Sequence, residues 1–324
     1  MIILRDLQSD LEKLPPKRLV IAIGNFDGLH LGHQAVIGRA VDIARQQGYA
    51  AAVLTFRQHP RSVLCPESPP VLLLPPDEKV RRIEQMGVDV LLCLDFTPEL
   101  AERSPEQFID PFLCKQLKVS QVVVGHNFRF GKERRGTPDL LQAKGPKLGF
   151  QVTIIPPVQI GDQIVSSTNI RRLLRQGRVR EASVFLNREY EITGEVIPGD
   201  GRGKRLGFPT ANLAVESELI PANGVYAAWA VHQGRRYAAM VNIGRRPTFP
   251  GANEAIEVHL IGFEGDLYGE PLDIHFVDRV RCEQSFTGID ELREQLSRDR
   301  EQVLALLDLN SHTQRRKDAK DGTR

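Results

Sequence analysis

Two histidines three residues apart close the decapeptide Gly24-Asn25-Phe26-Asp27-Gly28-Leu29-His30-Leu31-Gly32-His33. At that spacing His30 and His33 lie on one side of a helix's first turn. There they can donate hydrogen bonds or positive charge to phosphoryl oxygens as negative charge develops. Gly24 and Gly28 allow the chain to turn tightly. Gly32 removes a side chain where a phosphate would approach the backbone. The apolar run Arg18–Gly24 before the motif reads as a buried strand. Val36, Ile37, Ala40, Val41 and Ala44 after it mark one helical face. A strand, a glycine turn and a helix N-terminus bring backbone N–H groups and the helix dipole to a phosphate. The same pair read as a metal site lacks the H-E-x-x-H pattern, and packing or turn histidines are the other alternative.

A second segment, Gly199-Asp-Gly-Arg-Gly-Lys-Arg-Leu-Gly-Phe-Pro-Thr-Ala-Asn212, superficially resembles a phosphate loop. It is not a Walker A motif, because Lys204 is followed by Arg205 instead of Ser or Thr. It is not a dinucleotide fingerprint either, because Pro209 and a β-rich context argue against a helix beginning there. A loop bearing Gly201, Gly203 and Lys204 can still wrap phosphates with N–H donors and side-chain charge. Thr210 and Asn212 would share a face if extended, offering hard oxygen ligands to Mg²⁺. A flexible surface hairpin is an equal reading of the same residues. Ser166-Ser167-Thr168-Asn169-Ile170-Arg171 reads as a helix cap with hydroxyl and N–H donors, or as a plain cap with a surface arginine. Glu257 lies in an alternating strand, where a glutamate ordinarily faces solvent.

The chain of 324 residues is comfortable for two domains. A hydrophobic fraction of 41% and a charged fraction of 26% describe an ordinary soluble globular protein. A net charge of +2 argues against a protein whose main task is coating nucleic acid. Cys65, Cys93, Cys114 and Cys282 form no C-x-x-C pair, so neither a zinc site nor a disulfide framework is expected. With no signal-peptide pattern and no long apolar stretch, a cytoplasmic protein without membrane contact is expected.

These motifs need elements to hold them. Strands are expected at Leu19–Ile23, Ala51–Phe56, Val88–Leu94, Gln121–Gly125 and Gln151–Ile155. Helices are expected near Gly32–Gln47, Asp77–Met86, Pro105–Cys114 and Pro138–Leu148. Apolar strands alternating with helices imply an α/β domain with a doubly wound parallel sheet, whose ligands sit beyond the strands' carboxyl ends. Further on, β-rich segments occupy Tyr190–Pro198, Gly224–Val231, Arg236–Ile243, Ala255–Leu260 and Leu272–Val280. Without intervening helices these suggest an antiparallel barrel or sandwich. One amphipathic helix, roughly Ile289–Leu307, closes this region. The expected domains are 1–184 and 185–310, followed by a disordered polar tail at 311–324.

The H-x-G-H signature resembles nucleotidyltransferases that transfer adenylyl groups from ATP. Its Gly-x-Phe-Asp-Gly-x-His setting resembles the FMN adenylyltransferase module of bacterial FAD synthetases. The resemblance implies that His30, His33 and Arg171 serve the transition state at the α-phosphorus. It places ATP against Gly24, Asn25, Phe26, Asp27, Gly32, Asn127, Ser166, Ser167 and Thr168. Asn127 belongs to Val124-Gly-His-Asn-Phe-Arg-Phe-Gly131, similar to the family's nucleotide-site loop, and the S-S-T-x-x-R segment to its second ATP motif. Thr55-Phe-Arg-Gln-His-Pro60 resembles the flavin-pocket segment, which makes Phe56, His59 and Pro60 flavin-binding candidates. In the second half, Gly207-Phe-Pro-Thr-Ala-Asn212 resembles the P-T-A-N motif of riboflavin kinases. That implies an antiparallel β-barrel with a closing helix, and MgATP held by Gly201, Gly203, Lys204, Thr210 and Asn212. Val241–Phe249 is similar to a further family segment, and Glu257 matches the base on the riboflavin 5′-hydroxyl. The implied protein is a bifunctional enzyme that phosphorylates riboflavin to FMN and adenylylates FMN to FAD plus pyrophosphate. Its partners would be ATP, riboflavin and FMN, with flavins as substrates and products, no nucleic acid, and a monomeric or weakly homo-oligomeric state.

Two other readings are an adenylyltransferase with a pantetheine or nicotinate mononucleotide acceptor, and a flavin-sensing or RNA-binding protein on the same scaffold. The basic run Arg171, Arg172, Arg175, Arg178 and Arg180 argues for the latter, although such runs are ordinarily solvated helix faces.

Overall fold

The computed structural model describes residues 1–199, 201–215, 217, 219–245 and 254–321. The chain divides into two compact units, Met1–Ser167 and Thr168–Arg324. This division falls earlier than the expected 184/185 boundary. The helices Ser167–Arg175 and Val179–Leu186 have their packing partners in the barrel unit. Ala222 N–H donates to the Leu174 carbonyl at 3.0 Å, and Gly177 lies against Arg279 and Tyr226.

The first unit is built on six parallel strands: β1 (Ile2–Leu4), β2 (Leu19–Ile23), β3 (Ala50–Phe56), β4 (Val90–Leu94), β5 (Val119–Gly125) and β6 (Gln151–Ile155). Their order across the sheet is β1-β4-β3-β2-β5-β6. Side chains along β2 alternate between two cores. Leu19, Ile21 and Ile23 join the cluster with Phe112 and Phe150, while Val20 and Ala22 join the one with Ile37, Ala40 and Ala44. Both faces are therefore apolar and covered, as a doubly wound parallel sheet requires. The strand order reverses between β2 and β5, so the ligand crevice of such a sheet lies at their carboxyl ends. The segment expected as a helix at Pro105–Cys114 is a short α-turn, Pro105–Gln107, followed by a π-helix over Phe108–Gln116. Pro111 inside it has no N–H for an α-helical bond. The edge strand β1, three residues long, falls below the length at which alternation is readable.

In the second unit, β9 (Tyr190–Ile197), β10 (Ala211–Val215), β11 (Gly224–His232), β12 (Arg235–Arg245), β13 (Glu254–Leu260) and β14 (Pro271–Arg281) form a closed barrel. Every pairing is antiparallel, in the order β10-β13-β12-β11-β14-β9. Before it, β7 (Gln159–Ile160) and β8 (Gln163–Ile164) make a small separate hairpin in the first unit. The closing helix, Ile289–Asp321, seats Val303 and Leu307 on Val225, Ala227 and Met240 of the barrel's outer face. Buried Asp299 ties it to β14 through Arg281, with N···O distances of 2.8–3.1 Å. The backbone helix runs on to Asp321, whereas the polar composition led to an expected disordered tail from residue 311. No glycine or proline falls between Ile289 and Asp321 to stop it, and the run is rich in helix formers.

Candidate active sites

The first site forms where β2 delivers its turn to the Leu31–Gln47 helix. His30 is that helix's N-cap: its Nδ1 accepts the His33 N–H at 3.3 Å. The two imidazoles stack with ring centroids 3.6 Å apart, and Phe26 meets His33 edge-on at 5.4 Å. Capping uses the Nδ1 lone pair, so the neutral His30 carries its proton on Nε2 and can donate from there. His33 Nδ1 is buried and has no hydrogen-bond partner among the described residues. Burial, then the neighbouring His30 and Lys79, hold His33 well below the usual histidine pKa. It is therefore a neutral donor, whereas the sequence left a charged imidazole open.

The glycines play parts different from those the sequence suggested. Gly28 does turn in the left-handed region, at φ 84°. Gly24 does not. Its missing Cβ makes room for the Phe26 ring, which would stand 2.8 Å away. Phe26 and Leu29 take the left-handed conformations instead, at φ 51° and 43°. Such strain costs on the order of 1 kcal/mol or more per residue and persists only when surroundings impose it. Both side chains are buried in the sheet-face core, which imposes it here. A Cβ on Gly32 would sit 3.1 Å from the His30 ring, so that glycine admits the imidazole.

Cross-links draw the other segments to this loop. Thr55 Oγ1 donates to the Asn25 carbonyl at 3.0 Å, and Ser167 Oγ to the Asp27 carbonyl at 3.0 Å. Buried Asp27 accepts the Leu73 N–H at 3.0 Å. Phe56 ends β3 half-buried against Phe96, while His59 caps the short Pro60–Leu64 helix by accepting the Arg61 N–H. Asn127 is exposed just past β5, beside β2 in the sheet. Ser166 and Ser167 belong to this unit; Thr168 and Arg171 belong to the second, on a helix that buries Ile170, Leu173 and Leu174. Of the remaining arginine run, Arg178 pairs with Glu181 and Arg180 with Asp278.

Register assembles the second site. Asn212 on β10 stands opposite Glu257 on β13, and Glu257 opposite Asn242 on β12. Directly paired residues point to the same side of a sheet, so the three make one polar row. Asn242 is two residues from Met240 and so on the same face, which puts the row on the barrel's outer face beside the closing helix. The glycine-rich segment is not a hairpin, and it becomes extended only where it enters β10 at Ala211. It holds a five-residue helix, Arg202–Leu206, which ends at Gly207 with φ 86°. A Cβ on Gly203 would fall 2.3 Å from the Phe208 carbonyl and 3.0 Å from Thr210 Oγ1. A Cβ on Gly199 would fall on the Asn212 amide. Both glycines thus let the loop close over Thr210 and Asn212. His259 Nδ1 lies 2.8 Å from the Pro209 carbonyl, and its ring meets Phe208, over which Arg300 lies. Gly201 takes the left-handed conformation at φ 65°. The Lys204 side chain and residues 246–249 of the Val241–Phe249 segment lie outside what the structure describes.

The sequence reading passed over two residues of these sites. Asn242 was quoted without a role. Lys79 falls within the helix expected near Asp77–Met86, four residues before buried Ile83 and so on the same face.

A parallel-sheet crevice with paired imidazoles and a barrel with a glycine loop beside a carboxylate define a two-site nucleotide-dependent transferase. Residues 13–169 match the FAD synthetase family model and residues 186–307 the riboflavin kinase model. The bifunctional riboflavin kinase/FMN adenylyltransferase of Bacillus subtilis (strain 168) is 40% identical over 294 residues, 88% of this chain and 91% of that one. Its Escherichia coli (strain K12) counterpart is 35% identical over 291 residues, 90% and 93% of the two chains. A solved structure described as a macrolide-efflux protein from Streptococcus pneumoniae matches with TM-score 0.84 and 31% identity, covering 93% of this chain and 97% of that one. The chain belongs to the bifunctional riboflavin kinase/FMN adenylyltransferase family.

Proposed function

We propose that the two activities of this family run at the two sites described above, phosphorylation of riboflavin on the barrel and adenylylation of FMN at the β2–helix junction. The observation that carries this reading is the segregation of the motifs: His30 and His33 belong to one compact unit, Asn212 and Glu257 to the other.

On the barrel, Glu257 accepts the riboflavin 5′-hydroxyl proton as that oxygen bonds to the γ-phosphorus of ATP and the bond to ADP breaks. Phosphoryl transfer depends chiefly on positioning and charge stabilisation, so Glu257 serves by orienting the hydroxyl as much as by removing its proton. Thr210 and Asn212 offer only neutral oxygens, which suits Mg²⁺ that keeps waters and takes its negative ligands from ATP. Gly199 and Gly203 carry no Cβ to displace the Asn212 amide or the Thr210 hydroxyl, which keeps both oxygens in place for that role. Bound there, Mg²⁺ would neutralise phosphate charge. The Gly201–Lys204 loop wraps the phosphates.

At the β2–helix junction, a phosphate oxygen of FMN attacks the α-phosphorus of ATP in line and pyrophosphate leaves. No covalent enzyme intermediate is needed. His30 Nε2–H and the helix N-terminus meet the developing charge, and neutral His33 adds a hydrogen bond. Gly24–Asp27, Gly32, Asn127, Ser166 and Ser167 line the nucleotide. Phe56, His59 and Pro60 face the flavin. We also place the protein in the cytoplasm as a monomer or weak homo-oligomer; its four thiols are unpaired, and no described helix is long and apolar enough to cross a membrane.

Chromatography of the products from riboflavin plus MgATP, and separately from FMN plus MgATP, tests the reading. FAD is expected from both. FMN alone from the first mixture and no FAD from the second would remove the adenylyl-transfer assignment.

A further inference from the structure

Lys79, on the Pro76–Gln85 helix, is only 6% exposed. Its Nζ donates to the Phe56 carbonyl at 2.6 Å, at the carboxyl end of β3. An ammonium has three donors, and the other two have no acceptor among the described residues. Burying a cation with its donors unsatisfied is expensive. Burial lowers its pKa from the ordinary lysine value, with Cys93 and then Asp27 acting against that. The groups that face it give it little compensation. Cys93 is a buried thiol that burial holds protonated. Asp27 is buried and already accepts the Leu73 N–H. His33, also within electrostatic reach, is held neutral and has an unpartnered Nδ1 of its own. A buried ammonium and a buried, unpartnered imidazole nitrogen, within electrostatic reach of each other near the sheet's ligand-binding edge, call for an anion.

We propose that Lys79 is a phosphate-binding residue of the adenylyl-transfer site and that it holds the phosphate of the FMN acceptor. The assignment rests on the reading of this site as an FMN adenylyltransferase. The acceptor is favoured over the nucleotide because Lys79 is anchored to Phe56, the first of the flavin-facing residues, and belongs to neither the glycine loop nor its helix. Holding that phosphate beside His33 orients its attacking oxygen and offsets its charge, which raises the effective concentration of the nucleophile without any proton transfer.

Lys79→Met and Lys79→Gln separate this role from a structural one, the glutamine keeping a donor for the Phe56 carbonyl without the charge. Both variants are expected to lose roughly 10- to 100-fold in kcat/KM for FMN, the range of a hydrogen bond to a charged group. The KM for ATP should change little, and Lys79→Arg should recover part of the loss. Lumiflavin, which has the flavin ring and no phosphate, serves as a competitor of FMN, and its inhibition constant should be unchanged. An unshifted thermal unfolding transition of the first unit, followed by circular dichroism, is the control for folded protein. An unchanged KM for FMN, or equal weakening of FMN and lumiflavin, would overturn the assignment. Wild-type protein that makes no FAD from FMN would instead overturn the reading beneath it.

Discussion

The two units position their glycine loops in different ways. In the first, ten consecutive residues make the centre, because a strand, a turn and a helix's first turn are contiguous in chain and in space. The second unit collects its parts from three strands, and the register of β10, β13 and β12 aligns Asn212, Glu257 and Asn242. A contiguous site is held by local capping and by strain at Phe26 and Leu29, with the sheet behind it. A register-built site depends on the whole barrel closing correctly, since a slip of one residue would turn Glu257 to the other face. The first should therefore be sensitive to small local changes, and the second to anything that disturbs the barrel or its closing helix.

Single substitutions offer the sharpest test of that contrast. Glu257→Gln should lower riboflavin phosphorylation by about 10²–10⁴, the usual range for a general base, and leave adenylylation of FMN intact. His30→Ala should do the converse, lowering FAD formation by about 10²–10³. Loss of both activities from either substitution in a folded protein would end the separation of sites.

Stability gives a second test. Asp299→Ala leaves Arg281 without its buried carboxylate, and breaking such a pair costs about 3–5 kcal/mol. Thermal unfolding should show this loss in the barrel unit, together with falling kinase activity, while FMN adenylylation persists at temperatures where the kinase has gone. Simultaneous loss of both would show the two units to unfold as one.

A smaller effect is expected at the loop. Gly203→Ala pushes a methyl group against the Phe208 carbonyl, and overpacking of this kind costs about 1–3 kcal/mol. The KM for ATP in riboflavin phosphorylation should rise, with no change in the KM for ATP in FAD formation. An unaffected kinase would mean that the loop does not close over Thr210.

Acid should touch both units most gently. Burial lowers the pKa of His33, helped by His30 and Lys79; burial also lowers that of His259, helped by Arg300 and opposed by the Pro209 carbonyl. A depressed histidine stays neutral in the folded state while the unfolded chain takes up a proton below about 6.5. Stability is thus fully present above that pH and declines as pH falls toward the folded values. His33→Gln should flatten the decline for the first unit and His259→Gln for the second, measured by urea unfolding across pH 7.5 to 5.5. Unchanged slopes would remove these histidines as the cause.

Legibility in the sequence followed the same division. GNFDGLHLGH disclosed its strand, its helix and its paired histidines because those features are set by neighbours in the chain and periodicity reports them. Gly24 was assigned to a tight turn and Gly32 to the approach of a phosphate, yet they make space for the Phe26 and His30 rings, and no local rule says which ring will fold back. The β10 strand was missed because Pro209 and the preceding glycines read as loop, and Glu257 was no different from a solvated strand residue until a partner strand stood beside it. Lys79 carried a faint signal, four residues before Ile83, which a charged residue type obscures.

Residue order by itself determined the two-unit plan, the α/β and β-rich halves, and the strand–turn–helix setting of the histidine motif, since alternation, helical period and glycine turns act over a few residues. Only the tertiary structure decided that His30 gives its Nδ1 to capping, that His33 is neutral, that Asn212 and Glu257 share a face, and that a lysine is buried at the crevice. Each of these is set by desolvation or by strand pairing, and both depend on atoms distant in the chain.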